Sequence, residues 1–481
     1  MDRGVKPTSA PPVRGPLSFW TLLTFTIANL PIVAQGIALL IFLPRYFAGH
    51  LHVSLVVVGT AFAVVRLIDI GVDPLLGVLM DRTRTRLGRY RVWLLSGIPI
   101  LMLAVWRLYF APDGVGMAYL IGWLLVLYLA TSILGLAYAA WGANLATGYH
   151  ERTRLGGIAQ PVGVVAGMII LFLPTVSKAM GGTDAQGVQA MGIFIILIAP
   201  LAIGFAAWRT PERVAPHVAG SAAFTIRDYL ALSTRPAVLR LVFAAMALSL
   251  GPGWQGALYL FFANEILGFS IPVAAGLVAA SLIGGAIGAP FYARLSRRIG
   301  KHRALMVGTS CYSVGLFSFL LVHDGNVLIG ALVLGFLGFA QAGWLIMMAA
   351  MMADVGDEVR LEQGQERMGL LYSLTTGATK IAGALAIGLS YPLLEWLGFK
   401  PGEGAANTHH ALLGLELAYF IGPSLFVTLG GLCFIGWRLS AERHGEIRRQ
   451  LDARDALLGD ALLVAGMSET RVVPLLAPGA E

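Results

Sequence analysis

Charged side chains are scarce in this sequence. Lys, Arg, Asp and Glu make up 12% of the 481 residues, about half of the share that a soluble domain carries. Hydrophobic residues make up 57%. A soluble enzyme, a secreted module and a disordered protein all need more polar surface than this, so the composition excludes them. It is typical of a polytopic membrane protein, in which charges belong to the loops.

Cysteine is almost absent, and familiar catalytic motifs are missing as well. Cys311 and Cys433 both lie in apolar runs, so neither a disulfide framework nor a zinc site is expected. The sequence has no Walker motif, no glycine-rich nucleotide loop and no Ser/His/Asp set. We therefore expect neither an enzyme nor ATP-driven transport by this chain, and no cofactor or metal beyond a transported Na⁺.

Apolar runs long enough to cross a bilayer recur along the chain. A spanning helix needs roughly 20 mostly apolar residues. Twelve such runs, called spans 1 to 12, lie near 19–44, 54–80, 92–111, 117–146, 155–177, 188–208, 241–264, 272–292, 303–322, 326–352, 369–395 and 411–438. We expect a cytoplasmic segment over 1–18, six-helix halves over 19–208 and 241–438, a cytoplasmic linker over 209–240 and a cytoplasmic tail over 439–481.

Basic residues follow spans 2 and 8, whereas the loops on the other side are nearly free of Lys and Arg. Because positive residues stay on the cytoplasmic side of a membrane, both termini are expected inside. The net charge of +8 then reports orientation in a plasma (inner) membrane. We expect the bilayer and a small solute as partners, no nucleic acid, and a monomer.

The two halves repeat each other at these loops. Residues 82, 86, 88, 89 and 91 match residues 294, 298, 300, 301 and 303 at a constant displacement. Duplicated six-helix halves around a midplane site are the design of major facilitator transporters, which is the fold we predict. The residues predicted to gate the conformational change are Asp81, Arg82, Gly88, Arg89, Glu151, Arg152, Arg294, Gly300, Glu366 and Arg367.

Span 2 carries three charges where none is expected. Arg66, Asp69 and Asp73 are spaced by three and four residues, so they share one helical face. An ionisable group at bilayer depth costs at least a few kcal/mol. This stripe can hold a proton or offer carboxylate oxygens to a hard cation such as Na⁺. The alternative is a structural Arg–Asp pair, which needs no second carboxylate.

Span 11 carries a lysine at mid-membrane depth. Lys380 lies far from both ends of its apolar run, so it is expected to pair with Asp69 or Asp73 or to contact a solute, rather than to snorkel to the surface. The polar and aromatic groups that we predict to contact the solute from spans 10 and 11 are Trp344, Tyr372, Thr376 and Thr379.

The stretch from Arg66 to Trp93 resembles the glycoside–pentoside–hexuronide:cation symporters, the family that includes the melibiose permease. The likeness also covers residues 138–155 and 352–380, and it spans the whole chain. It implies secondary active transport by alternating access. It also implies that Asp69 and Asp73 bind the coupling cation, that Arg66 and Lys380 link the cation and substrate sites, and that Ser132 supplies a hydroxyl ligand.

The resemblance is weaker at the positions where the permease binds its sugar. The permease has a third carboxylate at the position that is Gly135 in this chain. It likewise has an aspartate where this chain has Val33, an arginine where it has Gln160 and a tryptophan where it has Ala139. The missing ligand favours H⁺ over Na⁺ as the coupling ion, and α-galactosides are not the expected substrates. Gln160 remains a predicted substrate contact.

Three hypotheses follow for the function. The first is cation-coupled symport of a sugar, glycoside or related small polar solute. The second is a carrier of a lysolipid or another amphiphile, because apolar residues replace sugar-binding ones. The third, of another class, is a non-transporting membrane sensor or assembly factor, against which the intact carboxylate pair speaks.

Overall fold

The computed structural model describes residues 17–85, 87–146, 149–212, 234–322, 325–363, 368–402 and 405–464. In these residues the chain is helical and has no strand. Twelve of the helices in this part of the chain are long and apolar enough to cross a membrane. The predicted all-α membrane fold of twelve spans is therefore confirmed.

The helices alternate in direction along the chain. Span 1 consists of the segments Phe19–Ile27, Asn29–Ile37, Ala38–Phe42, Leu43–Arg45 and Tyr46–His50. Spans 2 to 12 are Leu55–Arg82, Arg91–Tyr109, Met117–Leu145, Tyr149–Ala179, Asp184–Arg209, Pro236–Glu265, Ile271–Ile299, Lys301–Leu316 with the 3₁₀ turn Phe317–Leu321, Val327–Gln363, Met368–Trp396 and His409–Leu432. One more helix, Ala441–Val464, follows span 12.

The bundle has two faces, named here by their loops. The termini face carries the start of span 1, the loop between spans 2 and 3, and the helix Ala441–Val464. The far face carries the loop between spans 1 and 2. Hydroxyl side chains start several spans at the far face: Ser54 accepts a hydrogen bond from the Val57 N–H (3.2 Å), and Thr183 forms a capping box with Gln186.

Small residues let the spans of the C-terminal half pack closely. A Cβ atom on Gly284 would lie 1.8 Å from the carbonyl oxygen of Gly335, and one on Gly338 would lie 1.9 Å from that of Ser281. Spans 8 and 10 therefore touch backbone to backbone, and only glycine permits this approach. This contact fixes the wall that spans 8 and 10 contribute to the central cavity.

The two halves meet at the far face through polar contacts. Arg45, at the end of span 1, donates to the carbonyl oxygen of Leu260 and to Oδ1 of Asn264 in span 7, each at 3.1 Å. The Val56 N–H, in the first turn of span 2, donates to Oε2 of Glu395 at the end of span 11 (2.7 Å). The two halves are thus in direct contact at the far face.

Candidate ion and solute site

The most buried charge of the described spans belongs to Asp69, whose side chain is 3% exposed. Its Oδ1 atom accepts a hydrogen bond from the Ser132 hydroxyl of span 4 at 2.7 Å. Its Oδ2 atom lies 2.7 Å from Nζ of Lys380 in span 11 and 3.6 Å from Nη1 of Arg66. Two hydrogen-bond donors and the nearby Arg66 guanidinium therefore compensate the cost of burying this carboxylate.

Lys380 also contacts the second carboxylate of span 2. Its Nζ atom forms an ion pair with Oδ2 of Asp73, while the buried Oδ1 atom of Asp73 has no hydrogen-bond partner in the described part of the chain. The Lys380 side chain is 13% exposed. One ammonium group thus bridges two carboxylates and ties span 2 of the first half to span 11 of the second.

Helical spacing explains why these charges meet. Residues three and four positions apart project from one face of a helix, so Arg66, Asp69 and Asp73 point together towards span 11. The Arg66 guanidinium lies over the ring of Tyr128, 5.2 Å from its centroid. This cation–π contact holds Arg66 at the edge of the ion-pair cluster that it forms with Asp69, Asp73 and Lys380. Arg66, Lys380 and the two aspartates have a formal charge sum of zero when all four are ionised.

A cavity of about 670 Å³ adjoins the cluster. Spans 1, 2, 5, 7, 8, 9, 10 and 11 contribute to its wall, most of which is aliphatic, as at Leu40, Leu171 and Leu282. Among the described residues of the lining, Arg66 is the one with a formal charge. Arg66 therefore connects the ion-pair cluster to this cavity.

The predicted solute contacts divide into two groups. Trp344 and Thr379 line the cavity together with Arg66. Gln160, Thr376 and Tyr372 are exposed and are not part of that lining. The structure therefore brings the first group to the cavity and not the second, and the role of each residue stays a prediction.

Sequence reasoning missed two carboxamides of the C-terminal half. Gln255 and Gln341, from spans 7 and 10, line the cavity, and neither was a predicted contact. The sequence signal for each of them is a carboxamide within an apolar run. This signal is weak, because such groups also serve helix packing.

The predicted gating loop of the first half is held by a carboxylate from the end of span 6. Oε1 of Glu212 accepts the backbone N–H groups of Arg89 and Tyr90, each at 2.7 Å. Gly88 precedes them with a φ of +119°. The negative charge of Glu212 lies at the N-terminus of span 3, where the helix dipole favours it.

The matching loop of the second half has a different anchor. Gly300 again has a positive φ, of +90°. Lys301 places Nζ 2.7 Å from both oxygens of Asp354 in span 10. His444 of the helix Ala441–Val464 lies 3.4 Å from the same carboxylate.

The other predicted gating residues are described only in part. Arg82 ends span 2 with an exposed side chain, and Arg294 donates to the carbonyl oxygen of Pro290 in its own helix at 3.2 Å. The side chains of Asp81, Glu151 and Arg152, and all of Glu366 and Arg367, lie outside the described part of the chain.

Comparison with known families now identifies the class of protein. The family described as MFS/sugar transport protein matches residues 24–441. This match covers most of the chain, so the chain belongs to that family. The resemblance to the glycoside–pentoside–hexuronide:cation symporters of the major facilitator superfamily is likewise confirmed.

Individual relatives are similar over most of the chain. The lactose permease of Lactobacillus delbrueckii subsp. bulgaricus is 23% identical over 84% of this chain and 67% of its own length. The glucuronide carrier protein homolog of Escherichia coli is 22% identical over 91% of this chain and 96% of its own. The human sodium-dependent lysophosphatidylcholine symporter 1 is 24% identical over 83% and 78%.

The solved structures agree on the fold. The crystal structure of the nucleoside transporter NupG superposes with a TM-score of 0.60 at 13% sequence identity, covering 87% of this chain and 99% of NupG. The chain is therefore a multi-pass integral membrane protein with the major facilitator fold. Its family makes it a transporter and not an enzyme.

Proposed function

We propose that this protein is a proton-coupled symporter of a sugar, glycoside or related small polar solute. The observation that carries the proposal is the contact of Lys380 with both Asp69 and Asp73, between the two halves and beside the cavity. The relatives named lactose permease and glucuronide carrier support the class of solute.

Protonation of either aspartate changes the contact between the halves. A proton on Asp73 removes one of the two negative charges that hold Lys380, so one of the charge-assisted hydrogen bonds between spans 2 and 11 becomes much weaker. The cluster then has a net charge of +1, and Lys380 and Arg66 are freer to interact with a solute. Ion occupancy is in this way coupled to the helix interface on which alternating access depends.

The ligand set favours H⁺ over Na⁺. A hard cation requires several oxygen ligands, whereas Oδ2 of Asp69 and Oδ2 of Asp73 already face the Lys380 ammonium. Oδ1 of Asp69 is engaged by Ser132. Oδ1 of Asp73 has no partner among the described residues, and a proton needs one such oxygen. Gly135, where the family has its third carboxylate, adds no ligand.

The cavity is suited to a small solute. Its volume of about 670 Å³ falls within the range of roughly 300–1,000 Å³ that is usual for small-molecule sites. Arg66, Thr379 and Trp344 supply a charge, a hydroxyl and an aromatic ring at its wall. Gln160, Thr376 and Tyr372 are proposed to contact the solute as it enters or leaves.

The proposal includes an orientation and a conformational state. With both termini cytoplasmic in the plasma (inner) membrane, the far face is the outer one, and its contacts at Arg45 and Glu395 correspond to an inward-facing state. The residues of the basic loops, together with Glu151, Arg152, Glu366 and Arg367, are proposed to rearrange when that face opens. We propose a monomer as the transporting unit.

Gradient-driven uptake tests the coupling. Vesicles that contain the wild type or Asp73→Asn are loaded with an imposed pH or Na⁺ gradient, and accumulation of labelled sugars, glycosides and uronates is measured. We expect a pH gradient to drive accumulation in the wild type, and Asp73→Asn to equilibrate the same solute without accumulating it.

Asp184→Asn is the matched control, because Asp184 pairs with Lys178 at 3.7 Å near the far face, away from the cluster. It should accumulate solute as the wild type does. Undiminished accumulation in Asp73→Asn would contradict the coupling role of this residue.

The second candidate, transport of a lysolipid or another amphiphile, rests on the largely aliphatic wall of the cavity and on the similarity to the human lysophosphatidylcholine symporter. Purified protein is heated with lysophosphatidylcholine or with the sugar panel. A ligand that binds the folded state raises its melting temperature. Stabilisation by the lysolipid alone would favour this second function.

A further inference from the structure

Gln255, in span 7, has a side chain that is held from two sides and lines the cavity. Its Nε2 atom donates to the hydroxyl of Tyr419 at 3.1 Å, and its Oε1 atom accepts a hydrogen bond from the hydroxyl of Tyr312. A carboxamide offers two N–H donors and two acceptor lone pairs. One donor and one acceptor of Gln255 therefore remain for a group inside the cavity.

The two tyrosines that orient this carboxamide are themselves fixed. Tyr419 is fully buried and stacks on the ring of Phe262, with centroids 3.9 Å apart. Tyr312 is 1% exposed and packs edge to face against Trp344 at 5.1 Å. Because its supports cannot rotate freely, the carboxamide presents its donor and acceptor in one direction at little entropic cost.

A second carboxamide belongs to the same wall. Gln341 of span 10 lines the cavity and is half-buried, and no hydrogen bond of its side chain is found within the described part of the chain. None of Gln255, Gln341, Tyr312 and Trp344 carries a formal charge. This side of the cavity is therefore polar and neutral, in contrast to the Arg66 side.

We infer that Gln255, oriented by Tyr312 and Tyr419, is a specificity-determining residue that binds hydroxyl groups of a saccharide ring beside Trp344. This inference rests on the proposed function and selects its solute class. Adjacent ring hydroxyls offer a donor and an acceptor together, which matches the free groups of the carboxamide. An acyl chain in the same place would leave a buried donor and acceptor unpaired, which is costly.

Hydrogen-bonding sites of this kind discriminate more strongly than apolar ones. A pocket that is built to bind a hydroxyl rejects the analogue without it, because its own polar groups then lose their partners. The neutral wall would thus exclude lipid tails even though most of the cavity lining is aliphatic. Arg66, which span 2 contributes to the lining, remains available for the coupling step.

Binding to purified protein in detergent tests the inference without any ion gradient. The probes are lactose, a methyl glucuronide and lysophosphatidylcholine, and the readout is the ligand-dependent shift in melting temperature. We expect a saccharide to stabilise the wild type and Gln255→Leu to bind that saccharide about tenfold more weakly or worse. The shift in melting temperature that lysophosphatidylcholine causes should be the same in the wild type and in Gln255→Leu.

Gln35→Leu is the matched control. Gln35 is fully buried, accepts a hydrogen bond from Tyr109 at 3.4 Å and does not line the cavity. Its loss should leave saccharide affinity unchanged. Tyr419→Phe keeps the stacked ring and removes one support of the carboxamide, so it should weaken saccharide binding severalfold and serves if Gln255→Leu does not fold.

Three results would overturn the inference: unchanged saccharide affinity in Gln255→Leu and Tyr419→Phe, an equal loss in Gln35→Leu, or stabilisation of the wild type by no saccharide probe. The proposed function fails in a different way. A protein that binds saccharide through Gln255 but accumulates none under a gradient would contradict the coupling and leave the binding site intact.

Discussion

The two halves of the molecule repeat in sequence but contribute different chemistry to the site. The first half supplies three charges on one helix, Arg66, Asp69 and Asp73, and the hydroxyl of Ser132. The second half supplies one charge, Lys380, together with the neutral polar wall that contains Gln255. Neither half has the complete set of these groups, so the proposed ion and solute site forms only where the two halves meet.

The predicted gating loops show the same divergence on a smaller scale. Gly88 and Gly300 occupy matching positions, and both have a positive φ. The first loop is anchored by Glu212 from the end of span 6, whereas the second is anchored by Asp354 of span 10. The duplication has therefore preserved the turn, while its anchor comes from a different part of each half.

Removal of the shared ammonium should have the largest effect. Lys380→Met leaves Asp69 and Asp73 buried near each other without their common cation. Breaking a buried ion pair in this way typically costs about 3–5 kcal/mol. We expect gradient-driven accumulation to be abolished and the melting temperature in detergent to fall.

The control for Lys380→Met is Lys178→Met, which removes an exposed lysine 3.7 Å from Asp184 and should change little. Adding Asp69→Asn and Asp73→Asn to Lys380→Met should restore stability without restoring transport. A Lys380→Met protein that still accumulates solute would show that the second half contributes no charge to coupling.

The two loop glycines should respond unequally to the same substitution. Gly88→Ala and Gly300→Ala both place a side chain at a positive φ, which costs about 1–3 kcal/mol. A Cβ atom on Gly88 would also lie 1.9 Å from Oε2 of Glu212, whereas one on Gly300 has its nearest contact at 3.5 Å. Glu212 must then move and lose charge-assisted hydrogen bonds, each worth about 1.5–3 kcal/mol.

We therefore expect Gly88→Ala to lower the unfolding free energy more than Gly300→Ala does. Gly114→Ala gives the reference for strain alone, because Gly114 has a φ of +77° and no atom of the described residues lies within 4 Å of its Cβ position. Chemical unfolding in detergent measures all three. Equal losses of unfolding free energy at the two loops would mean that the contact with Glu212 adds nothing to the cost of Gly88→Ala.

The sequence predicted the charged part of the site but only some of the neutral part, Trp344 and Thr379. The contact of Lys380 with Asp69 was predictable, because an isolated charge at bilayer depth is too costly to leave unpaired. Gln255 was not predictable, because its orientation depends on spans 9 and 12 packing beside it. Glu212 could be assigned to the linker, but its contact with the Arg89 and Tyr90 N–H groups depends on how span 6 ends near span 3.

The twelve spans followed from apolar run length alone, since no water satisfies the backbone of a chain inside a bilayer. The direction of a single side chain in a span does not follow from length. Gln160, which corresponds in the resemblance to an arginine of the permease, is exposed, whereas Thr379, one position from Lys380, lines the cavity. Small rotations of a helix decide such cases.

The smallest effect is expected at an exposed ion pair of the helix Ala441–Val464, which packs on span 10 in the second half. Arg448 lies 3.3 Å from Asp357, but its side chain is 47% exposed, so Arg448→Ala should cost less than about 1 kcal/mol and only at low salt. Leu451 is fully buried, and Leu451→Ala should cost about 2–5 kcal/mol. Limited proteolysis of the tail at low and high salt compares the two variants. Faster cleavage in Arg448→Ala than in Leu451→Ala would mean that charge, and not apolar burial, holds this helix.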